Sequence, residues 1–407
     1  MSAPPAPARG DSPAAASGPA VALSRLVPCL GVGQIIAWGT LFYSIAVLGP
    51  PMARAIGASD TVLYGSFTAG LFVSGLVAPW TGRSIDRRGG RPVLVLGSVI
   101  AGIACILLAV AHGAATMATG WIVAGAAMGM GLYDAAFATL HRVSGTSYRR
   151  AVTALTLFGG FASTVFWPLS QFLLERHGWR AAFGVHAALN LAVALPLYAI
   201  AVPGAARRSP GTMAVAARPV ARGTRRAFVW LATALSIAAF LAAGVSAHLV
   251  TLLGAGGITP RDAVLAGALI GPMQVAGRLM EFAFSDRLRP LAVGTLAFAL
   301  MAGALVVLAL VHGAWIVALL FALLYGWSNG VLTIVRGTVP GVLFGERDYG
   351  ALLGRLARPQ FMLKSVAPLV VTLLAGLGGG GLVPIVVLAG GGIAALASYR
   401  LAIRASR

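Results

Sequence analysis

A chain of 407 residues that is 58% hydrophobic and only 10% charged, with mean hydropathy +0.89, cannot clothe a water-soluble surface, since soluble domains carry about 25% charged residues. Net charge is +20, and every basic residue is arginine except Lys364. In a soluble protein that excess would suggest nucleic acid, but here the arginines gather in short gaps between apolar runs. That pattern fits an integral membrane protein with its basic side held in the cytoplasm against anionic headgroups, and it excludes nucleic acid as a partner.

Residues 1–24 are rich in Pro, Ala and Ser and predict a disordered cytoplasmic tail without the apolar core of a signal peptide. A helix needs about 20 residues to cross about 30 Å of hydrocarbon. Twelve runs meet this: 27–49, 61–81, 92–112, 116–138, 151–174, 179–202, 227–252, 262–284, 290–311, 314–336, 359–377 and 381–402. The glycine run Gly378 to Gly381 separates the last two. A polar, basic segment, 203–226, divides the chain into two blocks of six spans, 25–202 and 227–402, and 403–407 form a short cytoplasmic tail. With both termini in the cytoplasm, 25 arginines fall on the inner side and 4 (Arg54, Arg176, Arg180 and Arg261) on the outer. The positive-inside rule therefore favours that orientation.

The two blocks echo one another at a spacing of about 200. His112-Gly113-Ala114 recurs as His312-Gly313-Ala314, Asp86-Arg87 as Asp286-Arg287, Pro168-Leu169 as Pro368-Leu369, and Arg91-Pro92 as Arg289-Pro290. Parallel repeats of six helices are a transporter architecture.

Between the second and third spans the chain reads GRSIDRRGGRP, residues 82–92. Gly82 is suited to ending a helix and to close backbone approach. Asp86 is an anion in a cationic loop, able to cap a neighbouring helix N-terminus or to pair with an arginine. With Arg87, Gly89 and Arg91, this stretch resembles the signature loop of the major facilitator superfamily, Gly-x-x-x-Asp-Arg-x-Gly-Arg-basic, with Gly90 where an arginine is usual. The resemblance implies an all-α membrane fold of twelve transmembrane helices in two pseudo-symmetric six-helix bundles. It also implies a monomer, a small-molecule substrate and no cofactor. Gly82, Asp86, Arg87, Gly89, Arg91, Asp286 and Arg287 would then form a loop that gates the conformational change.

Ionisable groups inside spans are costly and usually face a cavity. Arg278 in the eighth span and Lys364 in the eleventh resemble the cationic pair that holds a carboxylate in the monocarboxylate and oxalate–formate branches of that superfamily. Glu281, three residues after Arg278, can pair with it, and Lys364 can instead snorkel to the cytoplasmic interface. Asp134 in the fourth span is a candidate proton carrier, or else a partner for Arg142 or Arg336; Asn329 occupies a similar place in the tenth. Gln34 and Trp38 share a face of the first span, whose Trp-Gly-x-x-x-Tyr-Ser rhythm also resembles the monocarboxylate branch but lacks its acidic residue. In the fifth span, Trp167 is a further substrate candidate, and the drug–proton antiporter glycine–proline pattern is missing. His186, Asn190 and His248 read as interhelical hydrogen-bonding groups.

The sequence holds no GxxxxGK[ST], no HExxH and no cofactor fingerprint, and Cys29 and Cys105 have no metal-ligand spacing. These features predict a secondary active transporter, not an enzyme, in a bacterial-type inner membrane. It would move a small monocarboxylate-like anion with a proton, as symporter or antiporter. The alternative is proton-driven efflux of a drug, metalloid or other toxic compound on the same fold.

Overall fold

The computed structural model describes residues 23–204, 222–255, 257–285, 287–310, 314–345, 347–377 and 382–406. The expected N-terminal tail, most of the central segment, Asp286, the His312-Gly313 echo and the glycine run at Gly378 lie outside them. Among the described residues there are twelve membrane-length helices and no strand. The first block holds α1 (Leu23–Ala55), α2 (Asp60–Arg88), α3 (Gly90–Ala109), α4 (114–144), α5 (148–177) and α6 (179–201). The second holds α7 (Arg222–Ala255), α8 (Pro260–Phe284), α9 (Pro290–Leu310), α10 (Trp315–Phe344), α11 (Tyr349–Ala375) and α12 (Leu382–Ala405).

The tract 114–201 is helical almost throughout, yet it folds back twice. Gly145 (φ 51°) and Gly178 (φ 79°) supply the left-handed backbone of the two reversals. Contacts across them show the antiparallel pairing: Tyr133 Oη reaches Thr156 O at 3.5 Å, and Ser170 Oγ meets His186 Nε2 at 3.2 Å.

Several helices outrun their apolar cores. The signature stretch is not a loop: α2 continues through Arg88, and Gly89 (φ 83°) alone separates it from α3. Gly82 accordingly sits inside α2 instead of ending it. α10 extends to Phe344, and α11 starts at Tyr349, ten residues before the expected 359, with Pro359 inside the helix. Arginine side chains can reach interfacial water from a helical backbone, so charge in the sequence does not mark the helix end.

Lipid gives helices no hydrophobic reason to associate, so close backbone approach at small residues does that work. α2 meets α4 where Gly70 and Gly125 lie backbone to backbone and Gly129 faces Ser74 O. α8 meets α10 in the same manner, with Gly326 against Ile270 O and Gly330 against Gln274 O. Each half thus contains one pair of helices with no room for a Cβ between them. A third such pair, α2 with α11, joins the halves: Gly82 faces Gly350 O, Gly354 faces Ala78 O, and Gly75 faces Arg358 O.

Candidate functional site

The two halves are bolted together at the end of the molecule where the arginines collect. Asp86 points its carboxylate at the first turn of α11 and accepts hydrogen bonds from Gly350 N at 2.9 Å and Ala351 N at 2.6 Å. Those N–H groups have no partner within their own helix, and the helix dipole favours an anion there. Arg142 of α4 donates to Asp86 O, and Arg91 donates through Nε to Val202 O, tying α3 to the end of α6. Gly89 provides the turn, and Arg87 and Arg287 are exposed at this end.

The opposite corner of the interface uses other groups. Arg149 at the start of α5 pairs with Glu281 of α8 (Nε to Oε1, 2.6 Å) and donates to Ser285 O and Leu288 O. Glu281 also accepts from Thr153 Oγ1 at 2.6 Å. Arg278, one turn away, does not pair with Glu281; it donates to Thr156 O at 3.0 Å and lies toward Gly330 O. Between these corners, Tyr148 and Tyr349 both donate to Gly337 O at 2.6 Å, and His141 stacks on Tyr349.

Farther along the interface between the halves lies a small cavity. Trp38, Leu132, Tyr133 and Asp134 line it from the first half; Ala239, Arg336, Gln360, Phe361 and Lys364 line it from the second. Its free space is that of a water or two. Asp134 is ion-paired with Arg336 across the interface. The Lys364 ammonium lies over the rings of Phe42 (3.9 Å) and Trp38 (5.3 Å), and among the described residues it has no hydrogen-bond acceptor. It points into the protein, toward these rings, and does not snorkel to the cytoplasmic membrane surface. Arg336 Nε, Trp38 Nε1 and Asp134 Oδ1 are buried without a partner.

Local helix distortion delivers the rings. Residues Trp38–Tyr43 of α1 form a π-helical segment, and so do Leu189–Ala194 of α6. The two are pinned by Asn190 Nδ2 donating to Thr40 Oγ1 at 2.9 Å. Such segments recur at functional sites. Here the first brings Trp38 edge-on to Phe42 (5.2 Å) and close to Tyr133 (5.2 Å).

The cavity therefore unites Lys364, Trp38 and Asp134 from the residues expected at the site. Arg278 lies outside its lining, beyond Tyr133, whose hydroxyl and Arg278 share the Thr156 carbonyl. Gln34 is buried and donates to Gly131 O at 2.6 Å, holding α1 to α4. Trp167 is largely exposed on α5 and touches Tyr43 edge-on. Asn329 is not in the lining, and Arg336, not Asn329, stands opposite Asp134. Phe42, Tyr133, Gln360 and Phe361 were not singled out from the sequence. The spacing of Arg336 from Asp134, 202 residues, is the signal that would have found their meeting point.

Two helical halves closed around a charged cavity, with charged latches at the arginine-rich end, form the architecture of a membrane transporter. Residues 30–354 match the Major Facilitator Superfamily, and the chain belongs to that family. Its members are transporters, not enzymes. The chain is 29% identical over 151 residues to the multidrug resistance protein MdtL of Klebsiella pneumoniae (strain 342), covering 36% of this chain and 37% of that one. It is 27% identical over 141 residues to the purine ribonucleoside efflux pump NepI of Escherichia coli O6:K15:H31 (strain 536 / UPEC), covering 35% and 36%. The chain thus spans about a third of the length of the curated relatives it matches. In fold it is similar to the human organic anion transporter MFSD10 (TETRAN), with TM-score 0.68 and 17% identity. It is likewise similar to the E. coli fucose:proton symporter FucP, with TM-score 0.69 and 14% identity. Each of these two likenesses covers 93% of this chain and 99% of the other.

Proposed function

We propose that this protein is a proton-coupled secondary transporter of a small organic monoanion, working by alternating access. The observation that carries the reading is the imbalance of donors at the cavity. Lys364, Arg336 Nε and Trp38 Nε1 lack acceptors, and one carboxylate, Asp134, faces two cations. An incoming carboxylate would supply the missing acceptors and neutralise the excess charge, with Arg336 offering a planar fork and Lys364 a point charge. In taking Asp134's place on Arg336 it would release that carboxylate to bind a proton, so that anion and proton cross together.

On this reading the arginine-rich end, with both termini, faces the cytoplasm of an inner-membrane protein, and the structure is the state closed to that side. The blocks 25–202 and 227–402 rock as units, as a monomer. The Asp86–α11 and Arg149–Glu281 contacts are latches that break when the site opens inward. Arg278 and Glu281 belong to that second latch and lie outside the cavity lining.

The test is uptake of radiolabelled carboxylates into proteoliposomes under an imposed inward proton gradient. Gradient-driven uptake that Lys364→Gln abolishes is expected. Asp134→Asn should retain exchange down a concentration gradient but lose the response to the proton gradient. Absence of carboxylate transport by active protein would refute the reading. A second reading, proton-driven efflux of a neutral or toxic compound, draws on the efflux pumps among the relatives. Resistance conferred on a sensitive host, abolished by Asp134→Asn, would favour it.

A further inference from the structure

The walls of the cavity, taken with its charges, narrow the cargo further; this rests on the anion reading above. We infer that the transported anion is an aromatic monocarboxylate, a flat ring carrying a single carboxylate in the manner of benzoate.

The charge sets the single carboxylate. Arg336 and Lys364 against Asp134 leave one net positive charge, which a monoanion balances and a dianion exceeds. The same excess repels a cation.

The walls set the body. Apart from the three charged residues, the lining is Trp38, Tyr133, Phe361, Leu132, Ala239 and Gln360. Two of its polar groups are already engaged, Gln360 Nε2 donating to Leu356 O at 2.8 Å and the Tyr133 hydroxyl turning to Thr156 O, which leaves Trp38 Nε1 as a donor for the carboxylate. A hydroxy acid, an amino acid or a ribonucleoside would bring hydroxyls and amines with few partners waiting, and unpaired polar groups are expensive to bury. An apolar ring brings none.

The resting position of Lys364 sets the ring's character. Its ammonium sits on the faces of Phe42 and Trp38, and Arg336 lies 5.7 Å from the Phe361 ring. These are cation–π seats. A carboxylate that draws the two cations toward itself uncovers those faces, and an aromatic body can cover them again in offset or edge-on geometry. A saturated ring of the same size fills the space without that geometry. Because the lining comes from both halves, the cavity enlarges from water size to ring size as they separate.

The experiment uses the full chain in lipid nanodiscs. Dissociation constants are measured for benzoate, cyclohexanecarboxylate, acetate, lactate, phthalate and adenosine, with Phe361→Leu as the variant. Benzoate is expected to bind about tenfold more tightly than acetate or lactate, and more tightly than cyclohexanecarboxylate and phthalate. Phe361→Leu should shrink the benzoate-to-acetate ratio to about twofold or less. Acetate, lactate or the saturated ring binding as well as benzoate would overturn the aromatic assignment and leave the anion reading standing. Adenosine binding with no carboxylate bound would overturn both. If the variant fails to fold, the ranking of ligands on the unaltered protein decides alone.

Discussion

Removing the charge of Asp134 should cost more than removing the charge of Arg336, although the two form one ion pair. Breaking a buried pair by neutralising one partner costs about 3–5 kcal/mol, because the other charge is left uncompensated. Arg336 keeps 21% of its side-chain surface exposed and Asp134 10%, which places the loss near the lower end, about 3 kcal/mol. The third charge breaks the symmetry. In Asp134→Asn, Arg336 and Lys364 are two cations lining one small cavity with no anion between them. In Arg336→Met, Lys364 remains as a counter-ion for Asp134. At about 2 °C per kcal/mol for a large domain, Asp134→Asn should lower the melting temperature of the purified protein by about 6 °C, and Arg336→Met by about half of that. The double variant leaves only Lys364 charged and should recover much of the loss, a coupling a double-mutant cycle measures directly. A bound carboxylate should stabilise Asp134→Asn more than the unaltered protein. Equal losses from the two single variants, or strict additivity in the double, would refute the three-charge picture.

Further outcomes follow from the latches. Asp86→Asn weakens the cap on α11 by about 1–2 kcal/mol, shifting the closed-to-open ratio about tenfold; spin labels at Arg83→Cys and Arg355→Cys, with Cys29 and Cys105 replaced by alanine, should report a longer distance. Gly82→Val puts methyl groups where Gly350 O lies, at an overpacking cost of about 1–3 kcal/mol, and the same labels should separate with reduced transport. Arg149→Ala leaves Glu281 buried with only Thr153 on its carboxylate, so melting temperature should fall more than in Arg149→Ala/Glu281→Gln. Gly125→Leu sets a side chain into Gly70 backbone within one half and should prevent folding instead of shifting the conformational balance, read as loss of a monodisperse peak on size exclusion.

The twelve long helices and their order were legible because hydropathy over about 20 residues reports what the bilayer demands. Their ends were not. Pro359 and the charges at Arg355 and Arg358 read as a helix start, yet α11 begins at Tyr349 because its first turn is capped by Asp86, a residue 264 positions away. That Asp86 could cap a helix N-terminus was readable from its charge; which helix it caps is a tertiary fact. The π-helical segments of α1 and α6 left no mark in composition, and without them the meeting of Trp38 with Lys364 could not be foreseen. A local signal did exist for helix packing: Gly125-x-x-x-Gly129 and Gly326-x-x-x-Gly330 are the same small-residue motif in the two blocks, and each lies at a backbone contact.

The location of the charged site follows from the duplication itself. Tyr148 and Tyr349 are 201 residues apart, the spacing that relates the glycine motifs, and Asp134 and Arg336 are 202 apart, one residue off it. The tyrosines are therefore equivalent positions in the two repeats, Asp134 and Arg336 lie within one residue of equivalence, and both pairs meet across the interface between the halves. At such positions identical apolar or hydroxyl groups can pair, as the two tyrosines do on Gly337 O. Identical charges cannot, since two carboxylates or two guanidiniums facing one another in a low dielectric would repel. A charge where the halves meet therefore requires the repeats to differ there, with aspartate from one and arginine from the other. Searching the blocks for like residues finds conserved framework such as Asp86-Arg87 and its echo. Searching them for opposite charges within one residue of equivalent positions finds a place where the halves meet, and in this chain that search leads to Asp134 and Arg336.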